Sequence, residues 1–148
     1  MSQQNDALMR SMTVLEMAHR VHQQLNDRAN AAAGLTLNQA LVLSEVERAN
    51  GRAMVSELAG VLGRAVHTLT SAVNGLERKG LVVRQSIRGE DRRIVRIAVT
   101  ASGTEALKRF RASVTSVVDA VSSGPFDAAP SPEVRSTVGA MLRLLTNA

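Results

Sequence analysis

The spacing of apolar residues changes once, sharply, along residues 64–99, and that change limits what this chain can fold into. Val66, Leu69, Val73 and Leu76 recur at intervals of three and four, the period of one helix face, until Gly80 interrupts them. Beyond Gly80, residues 81–85 and 94–99 read as short strands, the second with Val95, Ile97 and Val99 on one face. The segment between them, residues 86–93, holds Arg88, Gly89, Glu90, Asp91, Arg92 and Arg93, a turn with a glycine and three arginines.

The same stretch carries the charge. Residues 64–96 contain eight basic side chains (Arg64, Arg78, Lys79, Arg84, Arg88, Arg92, Arg93, Arg96) against three acids (Glu77, Glu90, Asp91), so the whole formal net charge of +5 lies there. Focused charge concentrates a polyanion at a surface, and duplex DNA is the first polyanion to consider. A charge run is more often only a solvated face. The helix face opposite the apolar stripe is more specific: His67, Thr68, Ser71, Asn74, Gly75 and Arg78 are small or polar and include no acid. Such side chains have the size and donors to meet base edges and phosphates. Arg78, Lys79 and Arg84 read as phosphate contacts, with simple solvation the alternative for Lys79, and Arg64 and Arg88 as further DNA-binding residues. Arg92 and Arg93 suit a narrow A·T-rich minor groove, or one of them fixes the turn by pairing with Asp91.

Composition narrows the partner. The chain has two phenylalanines and neither Trp nor Tyr, so it lacks the stacking platforms of single-strand binders. It has no cysteine, which excludes disulfides, thiolate zinc sites and thiol-based sensing. At 148 residues and 45% hydrophobic content it reads as a single domain over residues 1–148. The polar start and the lack of a membrane-length apolar run lead us to expect a cytoplasmic protein without membrane contact.

The rest of the chain reads as helix. Leu8, Met12, Leu15, Ala18, Val21 and Leu25 form a stripe on a long helix ending at Gly34. Thr36 and Gln39 make a capping box, with Leu35 as staple, for a second helix carrying Ala40, Leu41, Leu43 and Val46 and fading at Asn50 and Gly51. Residues 54–62 read as a short helix with Leu58, Ala59, Val61 and Leu62 inward and no capping oxygen. Thr100 is the expected N-cap of a helix with Leu107, Phe110, Val114, Val117 and Val121 inward, broken at Gly124 and Pro125. Ser131 and Pro132 open a last helix carrying Val134, Val138, Met141 and Leu145.

Helix, short helix, helix and arginine-tipped hairpin, in that order, describe a winged helix-turn-helix. The run Leu58-Ala59, then Leu76-Glu77-Arg78-Lys79-Gly80-Leu81-Val82 through Arg84, then Asp91-Arg92-Arg93 and Thr100 to Gly103, resembles the MarR family of bacterial transcription regulators. The fold expected is mainly α (α+β): a winged helix-turn-helix core over residues 36–100, with N- and C-terminal dimerisation helices over 5–33 and 101–147. The resemblance implies a homodimer with interlocked terminal helices, a recognition helix in each major groove and a wing at each adjacent minor groove. It also implies that Asp91 and Arg93 brace the wing. The apolar stripes of the terminal helices make a dimer plausible on their own. This chain departs from the family at Asn74, where an acid commonly braces the wing arginine, and at Ser71 and Gly75, where a cation commonly faces DNA.

The function read from these features is a sequence-specific, duplex-DNA-binding transcription regulator, a repressor by preference, released by a small phenolic or acidic effector. The alternative is a winged-helix protein that acts through a protein partner with little specific DNA readout, motivated by Ser71 and Gly75. An enzyme is not expected, because there is no phosphate loop, zinc-protease motif or nucleophile elbow. No cofactor is expected. Glu16, His19 and His22 have metal-compatible spacing, but with no further ligand nearby they read as a polar helix face. Met12, Met17 and Met141 read as core filler, with an effector pocket as the alternative.

Overall fold

The computed structural model describes residues 2–91 and 93–123. In chain order these form α1 (Ser2–Ala33), α2 (Leu37–Arg48), α3 (Val55–Leu62), α4 (Val66–Arg78), β1 (Val82–Gln85), β2 (Arg96–Val99) and α5 (Ala101–Ser123). The helix expected from Ser131 to Leu145 lies outside the described residues, as does the side chain of Val121.

Helix α2 begins where its sequence says it should. Gln39 N–H donates to Thr36 Oγ1 at 3.1 Å and Thr36 N–H donates back to Gln39 Oε1 at 3.2 Å, so two otherwise orphaned donors are satisfied together. Leu35 is fully buried beside the cap. Helix α3 has no side-chain cap at Met54, as its sequence suggests.

Leu69, Val73 and Leu76 of α4 are fully buried, together with Leu43, Val46 and Ile97. Val66 is not: it is 53% exposed, because it is the first residue of α4, at the rim of the α3–α4 turn. Val61 of α3 is likewise exposed, against expectation, and only Leu58 and Ala59 of that helix are buried. An eight-residue helix offers one narrow strip to the core, and Val61 falls beside it.

β1 and β2 pair antiparallel, with Val82 opposite Val99 and Gln85 opposite Arg96. Both are shorter than the apolar runs that announce them. Val95 lies ahead of β2 and is exposed rather than sharing the inner face with Ile97. A third short segment, unexpected from the sequence, joins the pair: Ala53 bridges to Ile97, whose N–H donates to the Ala53 carbonyl at 2.8 Å.

Thr100 caps α5 through Gly103 N–H at 3.0 Å, while its hydroxyl donates to the Gly80 carbonyl at 2.7 Å. Gly103 has no room for a side chain, since a Cβ there would overlap the Leu81 carbonyl and crowd Val99. Leu107, Phe110, Val114 and Val117 are buried as expected. Arg111 ties α5 to α2, donating to Glu47 at 2.9 Å and to Ser44 at 3.3 Å.

The long helix α1 departs from its reading. Its buried row is Met17, Val21, Leu25 and Ala29, four apart and packed along α5, whereas Leu8, Met12, Leu15 and Ala18 are exposed. At 100° per residue the two rows point roughly 105° apart, so one apparent stripe is two faces. Met17 is core filler, but Met12 is not.

Candidate nucleic-acid interface

The polar face of α4 stands open. His67, Ser71, Asn74 and Arg78 are exposed and Thr68 is half-buried. Four of these residues, His67, Thr68, Ser71 and Arg78, together with Ala72 and Gly75 of the same helix, line one side of a groove of about 450 Å³ whose other side is Thr36, Asn38 and Gln39 from the start of α2. The groove therefore joins the polar helix face to the start of α2, where the N–H groups of Thr36, Leu37 and Gln39 are already taken by Gln39 Oε1, Asn26 Oδ1 and Thr36 Oγ1. The α2 residues were not singled out by sequence reasoning, although the capping box that positions them was plain.

Gly75 corrects the sequence reading. It is buried, not part of the open face, because the Gln39 side chain lies over it. Its lack of a side chain is a packing requirement between α2 and α4. Lys79 shares this seat: its ammonium donates to Gln39 Oε1 at 3.0 Å and to the Gly34 carbonyl, tying the end of α4 to the α1–α2 turn.

Arg84 is also engaged within the protein. It pairs with Glu77 and donates to Asn74 Oδ1 at 2.6 Å, linking β1 to α4. Asn74 thus holds an arginine, though one on β1 rather than one in the turn. By contrast Arg64, Arg78, Arg88 and Arg93 are exposed, and none is paired among the described residues. Arg92 lies outside the described residues.

The expected brace between Asp91 and Arg93 takes another form. Asp91 Oδ1 accepts the backbone N–H of Arg93 at 2.9 Å, which shapes the turn and leaves the Arg93 guanidinium outward. An ion pair holds the turn elsewhere: Arg96 donates through Nε and Nη2 to the two oxygens of Glu90, at 3.1 and 3.0 Å. These hydrogen bonds hold the Glu90 carboxyl below its ordinary pKa and raise that of Arg96. Sequence reasoning counted Arg96 only as charge. Its signal was an arginine beside the strand's inward Ile97, with a glutamate across the turn.

At the other end of the molecule, Glu16 pairs with Arg20 at 3.5 Å while His19 and His22 are exposed. Among the described residues no group of three or more His, Cys, Asp or Glu side chains is arranged to hold a metal ion. No helix among them is long and apolar enough to cross a membrane.

Three packed helices, the third with an acid-free polar face, followed by a hairpin edged with arginines unpaired among the described residues, make up a winged helix-turn-helix. The sequence pattern of the MarR family matches residues 33–94, from the end of α1 to the turn between the two strands. The fold is similar to that of the transcriptional regulator MosR of M. tuberculosis, at 26% identity and TM-score 0.63 over 93% of this chain and 96% of that one. It is also similar to S. aureus MepR, solved in complex with DNA, at 19% identity and TM-score 0.65 over 88% and 91% of the two chains. A third similar structure is CouR of Rhodococcus jostii RHA1, bound to p-coumaroyl-CoA, at 20% identity and TM-score 0.63 over 91% and 90%. No curated protein matches the chain in sequence.

Proposed function

We propose that this chain is a cytoplasmic, homodimeric repressor that binds a pseudo-palindromic DNA duplex and is released by a small phenolic or acidic effector. The observation that carries the reading is the open, acid-free face of α4 beside arginines unpaired among the described residues, in a chain whose entire formal charge of +5 lies in residues 64–96. His67, Thr68, Ser71 and Asn74 face base edges in the major groove. Arg64, Arg78 and Arg88 take phosphates, and Arg92 and Arg93 serve the adjacent minor groove. Arg84 contributes by fixing Asn74.

Leu8, Met9, Met12 and Leu15, 57–70% exposed on α1, support the homodimer, because an apolar row of that length seeks a partner. The effector class is supported by CouR, whose bound p-coumaroyl-CoA is both phenolic and anionic. Such a ligand releases DNA only by binding the DNA-incompetent arrangement more tightly than the competent one.

The test is a mobility-shift series on duplexes selected from a random pool. With about 8 phosphates neutralised, log affinity falls against log salt with a slope near −7. Binding that ignores salt refutes the reading. Salicylate is expected to release the duplex and peroxide to leave it bound; the reverse would refute the effector model.

A further inference from the structure

We infer that Arg96 is the positioning residue of the wing, clamping it to the helix-turn-helix so that both present their DNA contacts as one rigid unit. The inference rests on the DNA-binding reading above for its consequence, though not for its geometry. The Arg96 side chain is only 17% exposed. It grips Glu90 in the turn with two hydrogen bonds, and its Nη1 donates to the Arg52 carbonyl in the α2–α3 connection at 2.8 Å. The same nitrogen lies 4.0 Å from Glu57 in the first turn of α3. One planar guanidinium thus joins three segments, a task that suits the fixed fork of arginine and not the point charge of lysine.

The wing needs such a tether. Four residue pairs hold β1 to β2, and ten residues separate them. A two-stranded hairpin of that size is marginal by itself in water. Next to Arg96, the Ile97–Ala53 backbone bond fastens the base of the same strand. Since Nε, Nη1 and Nη2 all donate within the protein, Arg96 is committed to structure, while Arg88 and Arg93 remain outward for DNA.

Positioning and direct contact predict opposite signs for one substitution. Glu90→Gln removes a negative charge near the proposed DNA surface, so if Arg96 were a phosphate contact held back by Glu90, binding would tighten. A clamp predicts weaker binding, by about fivefold, the low end of coupling between linked sites. Arg96→Lys keeps the charge and loses the fork, and should weaken binding similarly; the double substitution should be no worse than either single one. The losses should appear on duplexes with A·T-rich flanks and vanish on duplexes trimmed to the major-groove half-sites. Without DNA, hydrogen exchange at Ile97 N–H should accelerate in Glu90→Gln. Unchanged or tighter binding by Glu90→Gln, or unchanged exchange at Ile97, overturns the clamp. Accelerated exchange in a protein whose wild type binds no duplex would uphold the clamp and refute the DNA-binding reading.

Discussion

The side-chain amide nitrogen of Gln39 lies 2.6 Å from the point where a Cβ on Gly75 would stand. That amide is the end of a flexible side chain, so Gly75→Ala can be accommodated if Gln39 swings away and gives up its bonds to Thr36 and Lys79. Loss of half a capping box costs about 1 kcal/mol, and replacing a mid-helix glycine by alanine returns about as much. Gly75→Ala should therefore change stability by less than about 1 kcal/mol in thermal or denaturant unfolding. At Gly103 the obstacle is the Leu81 backbone carbonyl, which cannot swing aside. Gly103→Ala should cost about 3 kcal/mol, and a near-neutral result would show that the α4–β1 junction is looser than the structure has it.

Arg93 is free of ion pairs among the described residues and its turn is shaped by Asp91. Arg93→Ala should weaken duplex binding and lower the salt slope by about 1, the signature of one lost phosphate or groove contact. Asp91→Asn keeps the acceptor oxygen for the Arg93 amide, so turn shape should persist in amide exchange. Loss of turn protection in Asp91→Asn would mean that the charge, and not the hydrogen bond, shapes this turn.

Acid should loosen the wing. The Glu90 carboxyl is held below its ordinary value chiefly by the hydrogen bonds from Arg96, with the charges of Arg96 and Arg52 adding to the effect. A folded-state pKa below the unfolded one gives stability that is fully present above the unfolded value, about 4.3, and lost as pH falls through the folded value. The stability difference between wild type and Glu90→Gln should thus be flat from neutral pH to about pH 5 and shrink below about pH 4. A difference that widens on acidification would show that no such pair exists in solution.

Leu8 and Met12 belong to the exposed row of α1, 59% and 57% accessible. Leu8→Glu with Met12→Glu should leave the helix-turn-helix folded and shift the protein from dimer to monomer in light scattering, with DNA affinity falling because two half-sites are no longer engaged together. An unchanged dimer would place the interface elsewhere.

What the sequence disclosed was mostly local. The Thr36–Gln39 box, the Thr100 cap and the Leu69, Val73, Leu76 stripe each depend on residues within a few positions of one another, and each is found in place. Val61, Val66 and Val95 are apolar in the right rhythm, yet exposed, because rhythm does not say where the neighbouring element stops. Gly75 looked like an empty position on the open face until Gln39, from another helix, filled it. The Arg96 clamp was hidden for the same reason: one of its partners is a backbone carbonyl 44 residues away, which has no sequence signature.

One hydroxyl connects the end of α4 to the start of α5. Thr100 Oγ1 donates to the carbonyl of Gly80, just beyond α4, and accepts from the amide of Gly103, in the first turn of α5. The residue just beyond α4 and the root of α5 therefore share one hydroxyl. Together with the Thr100 N–H bond to the Leu81 carbonyl and the seat of Gly103 against that same carbonyl, it fastens the root of α5 to the end of α4, so neither helix can shift against the other without losing these contacts.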